Sequence, residues 1–143
     1  MNKRFLEKVV IVTGSGSGIG QTTAERFAEE GAKVVIAELD QQSGKLVEKN
    51  INEKNNQSKF IETDVSDFNS INEMVNKTVK YFGPPDILIN NAGINVFSEP
   101  LKMSDTEWKK AFSVDLDGVW YGCKAVLPHM LEKGKGTIVN ISS

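Results

Sequence analysis

Cysteine occurs once in the 143 residues, at Cys123, and histidine once, at His129. A single thiol excludes an internal disulfide and suits a reducing compartment, so a cytoplasmic protein is expected. One His and one Cys give no metal-ligand spacing, so no metal is expected. Ser142 and Ser143 have no candidate base in the sequence, which leaves a Ser-His-Asp hydrolase unsupported. Charge of one sign is also lacking: 17 Lys and Arg against 19 Asp and Glu leave a net charge of −2. Nothing therefore draws the chain toward nucleic acid or an anionic membrane surface. No apolar run approaches the ~20 residues that span a bilayer. The basic start, Met1 to Arg4, leads into a short apolar stretch broken at Gly14 rather than into a signal-peptide core. Repeats and low-complexity segments are absent as well. What remains is an ordinary composition, 39% hydrophobic and 25% charged, enough for one core and one domain over residues 1–143.

Against these absences stands a cluster of glycines. Val9-Val10-Ile11-Val12 reads as a strand buried on both faces. Thr13 and the bend Gly14-Ser15-Gly16-Ser17-Gly18-Ile19-Gly20 follow, and Gln21 to Glu30 reads as a helix. A strand passing through glycines into a helix N-terminus is an anion site, because free N–H groups and the positive helix end both face the bend. The spacing is Gly14-xxx-Gly18-x-Gly20 with Gly16 as an extra, not G-x-G-x-x-G. A plain strand–helix turn is the alternative reading.

Strands and helices alternate along the rest of the chain. Strands are expected at Lys33 to Ala37, Lys59 to Thr63, Asp86 to Ile89 and Thr137 to Ile141. Helices are expected at Gln42 to Glu53, from a cap at Ser66 or Asp67 to Phe82, and from the capping box Ser104-x-x-Glu107 to Lys133. This order implies a doubly wound α/β fold, Rossmann-like, with five parallel strands and helices on both faces. Ligands of such sheets lie beyond the carboxyl ends of the strands. Those ends carry the glycine bend, Glu38, Asp64, Asn90-Asn91-Ala92-Gly93 and the serine pair.

Each strand end has its own chemistry. Glu38 lies 18 residues past Gly20, near the distance at which an acid binds dinucleotide ribose hydroxyls. A carboxylate there repels a 2′-phosphate, and no Lys or Arg within the bend or in Glu38 to Ser43 offsets it. NAD rather than NADP is expected, with Asp40 as the competing acid. Asp64 is either an acceptor for an adenine amino group or a turn and cap residue beside Ser66 and Asp67. Asn91 is either a ligand contact before Gly93 or part of a polar turn joining two strands. On the long helix, Trp108, Phe112, Val119 and Val126 follow a stripe expected to face inward, and Asp115 falls on it. A carboxylate there must reach water at a pocket or be hydrogen-bonded.

Together these residues resemble the short-chain dehydrogenase/reductase family, over essentially the whole chain. Thr13 to Gly20 is similar to its TGxxxGIG motif, Asp64-Val65 to its adenine-contacting pair, Asn90 to Gly93 to its NNAG motif, and Val139 to Ser143 to the strand bearing its catalytic serine. The resemblance implies hydride transfer between NAD and a small alcohol or ketone, with cofactor contacts at Gly14, Ser15, Gly16, Ser17, Gly18, Ile19, Gly20, Glu38, Asp64, Val65, Asn91, Ala92 and Gly93. It implies Ser143 as hydrogen-bond donor to the substrate oxygen and Asn95 to Phe97 at the substrate mouth. Asp115 stands where the family usually has an asparagine of a water relay. The family's Tyr-x-x-x-Lys is missing: Tyr121 is followed by Lys124 and Tyr81 by Pro85. The chain is thus expected to be the N-terminal portion of a longer enzyme, without its last strands and helices, inactive alone and homo-oligomeric when intact. A non-catalytic NAD-binding module is the alternative.

Overall fold

The computed structural model describes residues 3–142. The first strand, β1 (Val9–Thr13), is buried along its whole length and sits at the centre of a five-stranded parallel sheet of order β3-β2-β1-β4-β5. The other strands are β2 (Lys33–Glu38), β3 (Gln57–Glu62), β4 (Ile87–Asn90) and β5 (Thr137–Asn140). β1 pairs with β2 from Val9↔Lys33 to Thr13↔Ala37 and with β4 from Val10↔Ile87 to Val12↔Ile89. Side chains alternate across the sheet. Val10, Val12, Val34 and Ile36 pack under α1 (Gly18–Glu29) and α2 (Gln41–Glu53). Ile11, Val35 and Leu88 pack on the other face, with Ile71, Met74 and Val75 of α3 (Phe68–Phe82) and Val126 of α5 (Gly118–Lys133). The strand order reverses between β1 and β4, and at that seam the loops leaving the two strands part to form a crevice.

The helices begin and end where local chemistry dictates. Asp40 and Asp67 cap α2 and α3 by accepting the N–H groups of Ser43 and Asn69. Gly31 follows α1 at φ +93°, Gly83 ends α3 at φ +101° and Gly134 ends α5 at φ +68°, conformations that glycine adopts without strain. The capping box of Ser104 and Glu107 opens α4 (Asp105–Phe112) with both reciprocal hydrogen bonds present.

The long helix is not the uniform one expected. A π-helical turn, Ser113–Asp117, separates α4 from α5. Its surplus residue turns α4 relative to α5, so the expected inward stripe divides. Val126 is fully buried, but Trp108 and Phe112 are 55% and 42% exposed and α4 has no buried residue. Asp115 lies in the π-turn and is exposed, so of the two expected alternatives it reaches solvent, and it is hydrogen-bonded as well.

Candidate functional site

Thr13 joins the ends of the two strands at the seam. Its Oγ1 accepts the N–H groups of Asn91 and Ala92, each at 3.0 Å. Asn91 returns the tie, its Nδ2 donating to the carbonyls of Thr13 and Gly14 at 3.1 Å. Asn91 thus performs the strand-joining role expected of a polar turn and also lines the crevice. Gly14, at φ +62°, comes so near Ala92 that a Cβ would lie 2.7 Å from its Cα. Asn90 ties β4 to β5 by donating to Asn140 Oδ1 at 2.9 Å.

The glycine bend then divides into a lining and a backing. Gly14, Ser17, Gly18 and Ile19 line a cleft of about 450 Å³. Ser15, Gly16 and Gly20 are buried behind it. Ser15 Oγ donates to Val12 O at 2.7 Å, and a Cβ on Gly20 would lie 2.2 Å from Gly14 O. The first bond entering α1 is Gln21 N–H to Ser17 O, and Ser17 makes no side-chain cap. The helix therefore opens on the cleft with uncapped amides and the positive end of its dipole. Gly18, at φ +55°, has nothing within 4 Å of a would-be Cβ.

Glu38 stands at the mouth of this cleft. Its Oε2 accepts Gly16 N–H at 2.8 Å, and its Oε1 accepts the N–H groups of Leu39 at 2.9 Å and Asp40 at 3.1 Å. Asp40 is instead the α2 cap, and the Ser43 N–H it accepts holds its carboxyl below the usual range. Asp64 lines the cleft with one oxygen engaged, Oδ1 accepting Ser66 N–H at 2.9 Å and Ser66 O–H at 2.6 Å. Val65 lines it too and packs against Gly118, where a Cβ would lie 3.0 Å from Val65 Cγ2. Ala92 and Gly93 complete the wall.

A second cleft of about 480 Å³ adjoins the first through Ile19, Asn91, Ala92, Gly93 and Ile94. Asn95, Asp115 and Ser142 line it. Asp115 Oδ1 accepts Ile94 N–H at 2.8 Å, pinning the loop after β4 to the π-turn. Ser143, the expected substrate-oxygen donor, lies outside the described residues, as do Met1 and Asn2.

Five residues of the first cleft's wall were not singled out from the sequence: Ala37, Leu39, Thr63, Ile94 and Val114. Leu39 had a signal, an apolar residue directly after the rim acid, and it is 58% exposed. Thr63 and Val114 had none beyond their places at a strand end and in the π-turn. Neither cleft is lined by Lys, Arg or His. Among the described residues no cluster of His, Cys, Asp and Glu could hold a metal ion, and no helix is long and apolar enough to cross a membrane.

The residues fit a dinucleotide. A glycine at positive φ faces open space, uncapped helix amides can donate to an anion, and a fixed carboxylate keeps one lone pair free at the next strand end.

A parallel sheet with its crevice at the seam, glycines before the first helix and an acid ending the second strand defines the doubly wound, Rossmann-like class. The chain belongs to the short-chain dehydrogenase family, whose profile it matches over residues 8–143. It is 41% identical over 140 residues to an uncharacterized oxidoreductase of Thermotoga maritima, covering 95% of this chain and 53% of that protein. It is 39% identical over 140 residues to the meso-2,3-butanediol dehydrogenase of Serratia marcescens, covering 98% and 55%. A short-chain dehydrogenase/reductase from Burkholderia phymatum, solved in complex with NAD, superposes with a TM-score of 0.94 at 30% identity, covering 97% of this chain and 50% of that one. The chain spans about half the length of the curated relatives it matches.

Proposed function

We propose that this chain binds NAD in the first cleft and forms the coenzyme-binding part of an enzyme that interconverts a secondary alcohol and a ketone. The observation that carries this reading is Glu38. Three backbone N–H groups hold its carboxylate at the mouth of a cleft lined by no cation. A carboxylate so placed has a lone pair left to accept a ribose hydroxyl and repels a 2′-phosphate. The amides opening α1 receive the pyrophosphate, with Gly14, Ser17, Gly18 and Ile19 in front and Ser15, Gly16 and Gly20 shaping the bend from behind. Asp64 and Val65 take the adenine end, and Asn91, Ala92 and Gly93 form the floor. When bound, the nicotinamide supplies the chemistry, exchanging hydride with the carbon that bears the substrate oxygen.

The second cleft takes the substrate in this reading. Ser143 donates to the substrate oxygen. Asp115 fixes the Ile94 backbone at the cleft lip and contributes to the water relay. The diol named for the Serratia relative supports a small alcohol or ketone as substrate. Exposed apolar residues on α5 such as Trp120 and Leu131 support a homo-oligomer, and the lone thiol supports a cytoplasmic setting.

Calorimetry with NAD and NADP tests the coenzyme assignment. NAD is expected to bind at least about tenfold more tightly, the scale of one charged hydrogen bond, and Glu38→Ala to abolish that preference. Equal or tighter binding of NADP overturns it.

A further inference from the structure

The slot that holds Glu38 is shaped by a glycine on neither the bend nor the cleft wall. A Cβ on Gly44, early in α2, would lie 2.3 Å from Cδ2 and Cε2 of Phe60 and 3.3 Å from Cβ of Glu38. Gly44 is buried, and its φ lies outside the left-handed region. The demand there is for space, not for a conformation only glycine reaches. Glycine is otherwise a poor residue for a helix, so its place in α2 marks a packing requirement. Across the slot, a Cβ on Gly16 would lie 2.4 Å from Ser43 Oγ and 2.8 Å from Glu38 Oε2. The first turn of α2 is thereby seated on the Phe60 ring and the stem of Glu38 with no side chain between.

That seating fixes the carboxylate. Asp40 caps α2 through Ser43 N–H at 2.7 Å, and its own N–H donates to Glu38 Oε1 at 3.1 Å. Raising α2 off Phe60 carries Asp40 with it and withdraws that donor. We propose that Gly44 is a positioning residue for coenzyme choice: its missing side chain lets α2 sit close enough for Glu38 to be held across the cleft mouth. The inference rests on the NAD reading above. Gly44 lines neither cleft, so its effect passes through Glu38.

The test is the ratio of NADP to NAD dissociation constants, measured by calorimetry on the full chain. Gly44→Ala is expected to lower that ratio by about tenfold, the scale of a lost hydrogen bond to a charged group. Adding Phe60→Ala, which removes both ring carbons that the methyl would meet, is expected to restore it. Val47→Ala, which trims the same helix within the apolar core, is expected to leave the ratio unchanged. Should Gly44→Ala not fold, Phe60→Trp applies the same pressure from the strand side and is expected to lower the ratio. A wild-type ratio retained in folded Gly44→Ala or Phe60→Trp overturns the role of Gly44 while leaving the NAD reading intact. A wild-type chain with no preference for NAD overturns both.

Discussion

A methyl group added at Gly20 would stand 2.2 Å from the carbonyl oxygen of Gly14, whereas one added at Gly18 would meet nothing within 4 Å. The first glycine holds the bend together; the second leaves room in front of it. Gly18→Ala is therefore expected to fold, losing about 1–2 kcal/mol to the left-handed backbone. Its NAD affinity is expected to fall further than that loss explains, because the methyl occupies the approach to the helix amides. Gly20→Ala is expected to unfold the bend, and thermal melts paired with calorimetry separate the two. Glu30 shows a different residue-scale effect. Hydrogen bonds from Arg4, aided by Arg26 and opposed by burial, hold its carboxyl down to about 2 from an ordinary 4.5. The folded value lies below the unfolded one. This group therefore stabilises fully above about 4.5, and that stabilisation is lost as pH falls toward about 2. Melting temperatures of Glu30→Gln followed through that window are expected to fall less steeply than those of the wild type. Spacing pointed to Glu38, with Asp40 as its rival, because an acid at a strand end past a glycine bend is a local pattern. Its bond back to Gly16 was not legible, because that contact depends on where α2 sits.

At the scale of elements, the ends of β1 and β4 are held together by the Thr13 hydroxyl and, in return, by the Asn91 side-chain amide. Thr13 is 2% exposed and accepts two backbone N–H groups, from Asn91 and Ala92. Thr13→Val keeps the shape and strands both donors, each at a cost of about 1–3 kcal/mol. Urea titration is expected to show a loss in that range or above, and calorimetry a weaker affinity for NAD, since the floor of the cleft loosens with it. The capping box of α4 and the glycines after α1, α3 and α5 were legible because caps are written in a few adjacent residues. The π-turn was not. Hydrophobic spacing places Phe112, Val119 and Val126 on one face only if the helix is uniform, and no residue type in Ser113–Asp117 announces the surplus residue.

Taken whole, the chain has two apolar cores on opposite faces of one sheet, and the cleft lies where the strand order turns round. A ligand bound there touches loops from β1, β2, β3 and β4 together. It is expected to stabilise the native state as a unit, by about 2.7 kcal/mol at a concentration a hundred times its dissociation constant. A melting temperature unmoved by saturating NAD would contradict the placement of the coenzyme. The fold was readable at this scale because each strand is a short apolar run bounded by breakers and each connection is a helix. Which apolar residues would stay at the surface, such as Trp108 and Trp120, was not readable, since exposure depends on what the helix faces. The helical arm carries one further implication. Shortening Ser113–Asp117 by one residue would even out the spiral, swing α4 by about 100° about its axis and draw Asp115 away from Ile94. That single surplus residue acts as a spacer under the rim of the second cleft, and trimming it would reshape that opening and, through Val114 and Ile94, the wall it shares with the first.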